Sequence, residues 1–326
     1  MKERALEIDA LKCVGILAVI LIHSLRSPWE PGVAPIEIEL RPLLRFAVPS
    51  FLFASGFLYA TTAPVPAAVT RRRLRRLLVP YLVASLAAQV FWQFSSRPDP
   101  RTASVLLDLL FGWSFGPYYY VFVIVLLVLA TPLFARIPRR RAPIVLLALL
   151  ALQGLFETGW IVLPWRFLFR NPLLWAGYFY AGWCARLHHD ALRAAVARVR
   201  GPALMALALL VAGCFALTQQ GLEMIAKRSL TWLLVYASIA FVFVAACGRR
   251  TPPGPVRALS DATYAIYLLH VFFVVGLAGW LSPTAGALDV VYLALLWSAG
   301  LLGSLAVIAL SRAILGDERS RAWLGA

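Results

Sequence analysis

The sequence predicts an all-α fold: a polytopic membrane helix bundle of about ten transmembrane helices with both termini cytoplasmic. Three observations predict it. Of 326 residues, 61% are hydrophobic and only 14% charged, with a mean hydropathy of +0.79, whereas a soluble domain carries about 25% charged residues. Apolar stretches recur along the chain near the roughly 20-residue length that spans a bilayer as helix. The basic residues gather in alternate loops between those stretches, the pattern of a positive-inside topology.

The net charge of +16 raises the prospect of a nucleic-acid partner, but its placement argues for membrane orientation instead. No nucleic acid is expected; membrane lipids are. The four cysteines, Cys13, Cys184, Cys214 and Cys247, form no CxxC pair and lie near no histidine at metal-ligand spacing, so free buried thiols are expected. No metal site is expected, and no HExxH, phosphate-binding loop or GxSxG occurs.

Ten apolar segments are predicted as helices: 8–27, 43–61, 77–94, 117–135, 142–158, 171–188, 202–218, 229–247, 261–281 and 288–311. Lys2 and Arg4 precede the first apolar run and mimic a signal peptide, but Glu3, Glu7 and Asp9 interrupt the basic region and no small-residue cleavage site follows, so the first helix is retained. Gln153 and Glu157 make 142–158 the least apolar segment. The larger share of the basic residues then falls on one side, in Arg71–Arg76, Arg136–Arg141, Arg186–Arg200, Arg249–Arg257 and Arg312–Arg321, which places that side in the cytoplasm. Trp29, Trp92, Trp113, the run Tyr118–Tyr120, Trp160 and Trp165 gather near the opposite ends, as an interfacial aromatic belt would. Pro98–Pro100 and Pro252–Pro255 mark turns. The stretch His188–Arg200 reads as a short amphipathic helix on the inner surface. The segments describe a single integral-membrane domain over 1–326 with no appended soluble domain.

The first helix, EIDALKCVGILAVILIHSL, carries the most information. Ionisable groups inside a spanning helix are costly and usually face the protein interior or a wet cavity. At 100° per residue, Lys12 and His23 differ by only about 20° around the axis, and Asp9 lies within about 60° of both. The three share a face, with Lys12 and His23 about 16 Å apart along it. Neutral imidazole at His23 could accept a proton from an attacking hydroxyl, and Lys12 could hold an anionic donor. Against this stands a structural reading in which Lys12 snorkels to headgroups, Asp9 is interfacial and His23 joins polar packing. In SDATYAIYLLHVFF, Thr263, Tyr267 and His270 fall one turn apart on one face; they could bond a substrate or His23, or simply pack against neighbouring helices. His188 and His189 sit in a basic loop and are given no catalytic role.

These residues resemble the acyltransferase-3 family of membrane O-acyltransferases. In that family a basic residue, usually Arg, precedes an essential His in the first helix with ten residues between them, and Lys12 and His23 occupy those positions. Lys for Arg keeps the charge and removes the guanidinium fork. VPSFLFASGF with Ser55, Gly56 and Phe57 is similar to the family's second helix, and RRRLRRLLVPY to its basic inner loop. GPYYYVFVIVLLVLATP and LLWAGYFYAGWCAR are similar to later helices, and LSDATYAIYLLH to its penultimate-helix signature, with Thr263 where Ser is common. The resemblance covers most of the chain. It implies an acyl-CoA-dependent O-acyltransferase of the bacterial cytoplasmic membrane, moving an acyl group, commonly acetyl from acetyl-CoA, to a hydroxyl of a glycan, a lipid-linked sugar or a small acceptor. Acyl-CoA would be a co-substrate, with no permanently bound cofactor. His23 and Lys12 would be catalytic, and Asp9, Ser55, Tyr267 and His270 would line the substrate site. The rival reading is a transporter or flippase for a polysaccharide or lipid-linked sugar, but paired helices broken by Gly or Pro in two related halves, common in transporters, are not evident. A silent scaffold would leave the buried charges of the first helix unexplained.

Overall fold

A computed structural model describes residues 4–27, 33–95, 101–102, 104–249, 254–281 and 288–325. Trp29, Arg97, the turns at Pro98–Pro100 and Pro252–Pro253, Lys2 and Arg250 lie outside the described residues. Among those described, the chain is helical throughout, with no strand. In chain order the helices are α1 (Leu6–Ser24), α2 (Pro35–Leu44), α3 (Ala47–Tyr59), α4 (Ala67–Phe94) and α5 (Val105–Phe111). There follow α6 (Tyr119–Ala135), α7 (Ala142–Thr158), α8 (Trp165–Leu168), α9 (Pro172–Leu187) and α10 (His189–Thr218). The last four are α11 (Met224–Ala246), α12 (Gly254–Trp280), α13 (Leu288–Leu315) and α14 (Asp317–Leu324).

Each of the ten predicted segments coincides with a helix. Among the described residues, eight helices, counting α2 and α3 as one stretch over Pro35–Tyr59, are long and apolar enough to cross a membrane. Two are not, for different reasons. The 19 residues of α1 include Glu7, Asp9 and Lys12, and α9 has only 16 residues, about 24 Å of helix against a hydrocarbon core near 30 Å. The segment expected at 43–61 is preceded by α2, whose Glu37, Glu39 and Arg41 conceal it from an apolar-run reading. The surface helix expected at His188–Arg200 is instead the first part of α10. A kink at Val199 (φ −124°, ψ 21°) separates it from the apolar part, where Pro202 removes a helical hydrogen bond and its ring crowds the carbonyl one turn back.

By internal contacts the chain forms two compact units. The first comprises Met1–Gly15, Pro42–Ala67 and Leu126–Ser260; the second comprises Ile16–Arg41, Ala68–Val125 and Asp261–Ala326. In the first, α3 and α9 cross through a reciprocal pair of glycines. A Cβ on Gly56 would stand 1.8 Å from the Phe179 carbonyl oxygen, and one on Gly182 would stand 1.9 Å from that of Phe53. Small residues at such a crossing let the backbones touch, and in lipid this packing is a main source of helix association. Gly56→Ala or Gly182→Ala is therefore expected to destabilise the first unit by about 1–3 kcal/mol through overpacking, seen as a lowered unfolding midpoint in detergent, whereas Gly213→Ala, with nothing within 4 Å of its Cβ position, should not lower it, alanine being the better helix former. Asn171 caps α9 by accepting the Leu173 amide at 3.1 Å, with Pro172 at the first helical position where its missing N–H costs nothing. The start of α1 is fastened in the same unit by side chains. Asp9 accepts Arg4 at 2.6 Å and Ser260 at 2.6 Å, and Glu7 bonds His189.

In the second unit, aromatic hydroxyls and indoles bond backbone carbonyls between helices. Tyr118 Oη donates to Leu268 O at 2.6 Å and Tyr264 Oη to Leu77 O at 2.6 Å. Trp92 Nε1 donates to Ser114 O at 2.8 Å and Trp297 Nε1 to Leu17 O at 3.1 Å. Trp92, Tyr118 and Tyr120 are buried, so the expected interfacial belt at these positions is core instead. The polar tips of Trp92 and Tyr118 each satisfy a carbonyl inside the protein and need no headgroup. Trp160 remains 76% exposed, as a belt residue would be. Gly112 ends α5 in the left-handed region (φ 68°) directly against the Tyr118 carbonyl, a place that admits only glycine.

Candidate active site

Five of the six sequence-selected site residues occur on just two helices, α1 and α12. His23 and His270 belong to the second unit, with Tyr267 beside His270; Asp9, Lys12 and Ser55 belong to the first. The α1 helix is unbroken from Leu6 to Ser24, so Asp9, Lys12 and His23 keep the shared face their spacing implies.

His23 lies in the last turn of α1. Its neighbours Ile16, Val19 and Ile20 are fully buried, while His23 keeps part of its surface accessible. The ring of His270, from α12, lies 5.5 Å from it between centroids, tilted by 41°. His270 has no exposed surface, and its Nδ1 is 3.1 Å from the Ile266 carbonyl oxygen. A carbonyl only accepts, so in this bond Nδ1 carries the hydrogen and Nε2 presents its lone pair. That Nε2 is buried with no hydrogen-bond partner among the described residues. The α13 helix packs against both α1 and α12 near these rings. A Cβ on Gly300 would stand 2.8 Å from Ile20, 2.9 Å from Val274 and 3.7 Å from His270, so α13 can approach both helices only because residue 300 has no side chain.

The Tyr267 ring lies 6.0 Å from that of His270 between centroids, tilted by 45°, but its hydroxyl donates to the Pro117 carbonyl. It therefore braces α12 against the turn at Gly116–Tyr118 and has no proton left for a substrate. Asp9 is likewise engaged, accepting Arg4 through both oxygens and Ser260; it anchors the start of α1. Ser55, half-buried on α3, adjoins the Gly56 crossing. Lys12 is half-buried and is not without interactions.

The structure adds a feature that the sequence reading missed. Just beyond α1, Arg26 is buried with Glu37 and Asp289. Its backbone N–H and Nε donate to Glu37 at 2.7 Å each, and Nη2 donates to Asp289 at 3.0 Å. Arg41 Nη2 donates to the Arg26 carbonyl, and the Arg26 guanidinium lies 6.0 Å over the Tyr292 ring. The cluster ties the end of α1 to α2 and α13, three residues after His23. Its signal in the sequence is three charges, Arg26, Glu37 and Asp289, at the edges of apolar segments. His189, given no role from sequence, is buried against Glu7 and the Phe57 ring.

Residues 6–315 match the acyltransferase-3 family model, described as an acyltransferase domain. The chain belongs to the acyltransferase-3 family. Within this acyltransferase-3 protein, His23 of α1 and His270 of α12 are neighbours. No curated protein and no solved structure was found to match the chain.

His270→Asn keeps a donor near the Nδ1 position for the Ile266 carbonyl and removes the Nε2 lone pair. The expected result is acyl transfer lowered by about 100-fold, the effect of misplacing a reacting group by an ångström, with an unchanged unfolding midpoint. Full activity would relegate His270 to packing.

Proposed function

We propose that this protein is a membrane-embedded O-acyltransferase that moves an acyl group, acetyl in the simplest case, from acyl-CoA to a hydroxyl of a cell-surface glycan, a lipid-linked sugar or a similar small acceptor. It would act in the bacterial cytoplasmic membrane with ten crossings and both termini cytoplasmic. The observation that carries the reading is the His23 ring lying 5.5 Å between centroids from that of His270, whose Nε2 has no hydrogen-bond partner among the described residues, in a chain of an acyltransferase family.

The chemistry follows from these groups. His23 accepts the acceptor's hydroxyl proton as its oxygen attacks the thioester carbonyl. The tetrahedral intermediate collapses, the carbon–sulfur bond breaks, and the CoA thiolate leaves with the proton that His23 returns. His270 orients His23 or relays that proton. Lys12 meets the anionic donor as a point charge, without the bidentate geometry of an arginine.

The test supplies acetyl-labelled acetyl-CoA to one face of membrane vesicles containing the protein and follows label into extractable glycan and lipid-linked sugar. Label in an ester, released by mild base, supports the reading. Translocation of an unmodified sugar with no ester label would favour a transporter and overturn it.

A further inference from the structure

A polar groove of about 360 Å³ opens in the first unit, where α3 ends and α10 begins, lined by Thr61, Thr62, Arg139, Arg186, His189 and Asp190 with the adjoining backbone. Its size falls within the range of small-ligand sites, about 300–1,000 Å³, and its lining suits a solvated anion and not an acyl chain. The Arg186 guanidinium is held 5.5 Å over the Phe57 ring, a stacking contact that leaves its N–H fork free to bond other groups. Arg139 is exposed, with only a 3.5 Å approach to His188 Nδ1. Thr61 Oγ1 accepts the Ala63 amide at 3.1 Å, so its own hydroxyl hydrogen is left to donate. His189 is fixed at the groove by its bond to Glu7 and is not a free ligand. The α10 helix also begins here, and helix N-termini carry unsatisfied N–H groups and partial positive charge. Arg136, Arg140 and Arg141 follow in the adjoining segment. Asp190 is the opposing charge.

Two guanidinium groups, hydroxyl donors and a helix start converging on one groove is the chemistry of phosphate recognition. We propose that this groove binds the phosphate groups at the nucleotide end of a coenzyme A donor. This rests on the acyl-CoA reading above, and on the assignment of these basic loops to the cytoplasmic side. An anionic lipid headgroup offers the same phosphate chemistry, so the experiment separates the two sources.

The full chain, reconstituted in phosphatidylcholine nanodiscs, is titrated calorimetrically with CoA, 3′-dephospho-CoA, 3′,5′-ADP and pantetheine. CoA should bind tightest and pantetheine weakest. Arg139→Gln and Arg186→Gln should each weaken CoA and 3′,5′-ADP by about tenfold, as expected for losing a charge-assisted hydrogen bond, with pantetheine unchanged. Asp190→Asn should tighten CoA a few-fold, a gain that a merely structural role would not produce. Should Arg186→Gln fail to fold, the exposed Arg139 and Thr62→Val carry the test. Variants that leave CoA affinity unchanged, or that weaken CoA and pantetheine alike, overturn the groove and leave the acyltransferase reading standing. Binding of 3′,5′-ADP that responds to the variants, in a protein that transfers no acyl group, would do the reverse. Variants that alter retention of phosphatidylglycerol in mixed nanodiscs while CoA affinity stays the same assign the groove to lipid and also overturn the proposal.

Discussion

Replacing His23 by alanine is expected to lower acyl transfer by about 10²- to 10⁴-fold, the range for loss of a general base, while the protein still folds. The fold should tolerate the change because alanine is the better helix former and because His23, unlike Ile16, Val19 and Ile20 around it, keeps accessible surface. No hydrogen bond fixes the end of α1 through this side chain; Arg26 does that work three residues later. The loss should therefore appear in kcat, with CoA affinity unchanged, since the imidazole acts on the proton of the acceptor and not on the donor's binding. Steady-state transfer of labelled acetyl groups in vesicles, paired with calorimetric CoA binding, separates the two. A well-folded His23→Ala protein with parental incorporation would remove His23 from the chemistry.

The second large effect is structural. Glu37→Leu should destabilise the protein by about 3–5 kcal/mol, the cost of stripping one partner from a buried ion pair. Glu37 has no exposed surface and satisfies the Arg26 backbone N–H and guanidinium together. Without it, Arg26 retains Asp289 at 3.0 Å, but the amide and Nε lose their acceptor. Asp289→Asn should cost less, because it keeps an acceptor oxygen near Nη2 and leaves Glu37 in place. The ordering, Glu37→Leu well below Asp289→Asn in unfolding midpoint, is the decisive measurement. Equal midpoints would mean that Glu37 contributes no more to stability than Asp289 does. Because Arg26 follows His23 by three residues, Glu37→Leu should also lower acyl transfer in molecules that remain folded.

The helices were largely legible because each buries or exposes a long apolar surface, a signal written along the chain. The exceptions follow from what that signal omits. The α2 helix is rich in charges, and its Glu37 is buried only because Arg26 and Asp289 meet it; no periodicity reports that. The aromatic residues Trp92 and Tyr118 look like belt residues by position, yet each finds a carbonyl elsewhere in the chain to bond. Gly56 was visible in a motif, but its reason, a backbone crossing with Phe179, depends on a helix more than a hundred residues away.

The sequence by itself determined the membrane class, the positions of the apolar helices, the family resemblance and the one-sided stripe of Asp9, Lys12 and His23, since all of these are local or additive properties of the chain. Only the tertiary structure decided which polar groups are spent and which are left over. Asp9 is taken by Arg4 and Ser260, and the Tyr267 hydroxyl by Pro117. The Nε2 of His270 is left without a partner, 5.5 Å between ring centroids from His23. The reason is physical. A buried polar group is defined by its partner, and here the partners lie far apart in sequence, so their pairing exists only once the helices have packed.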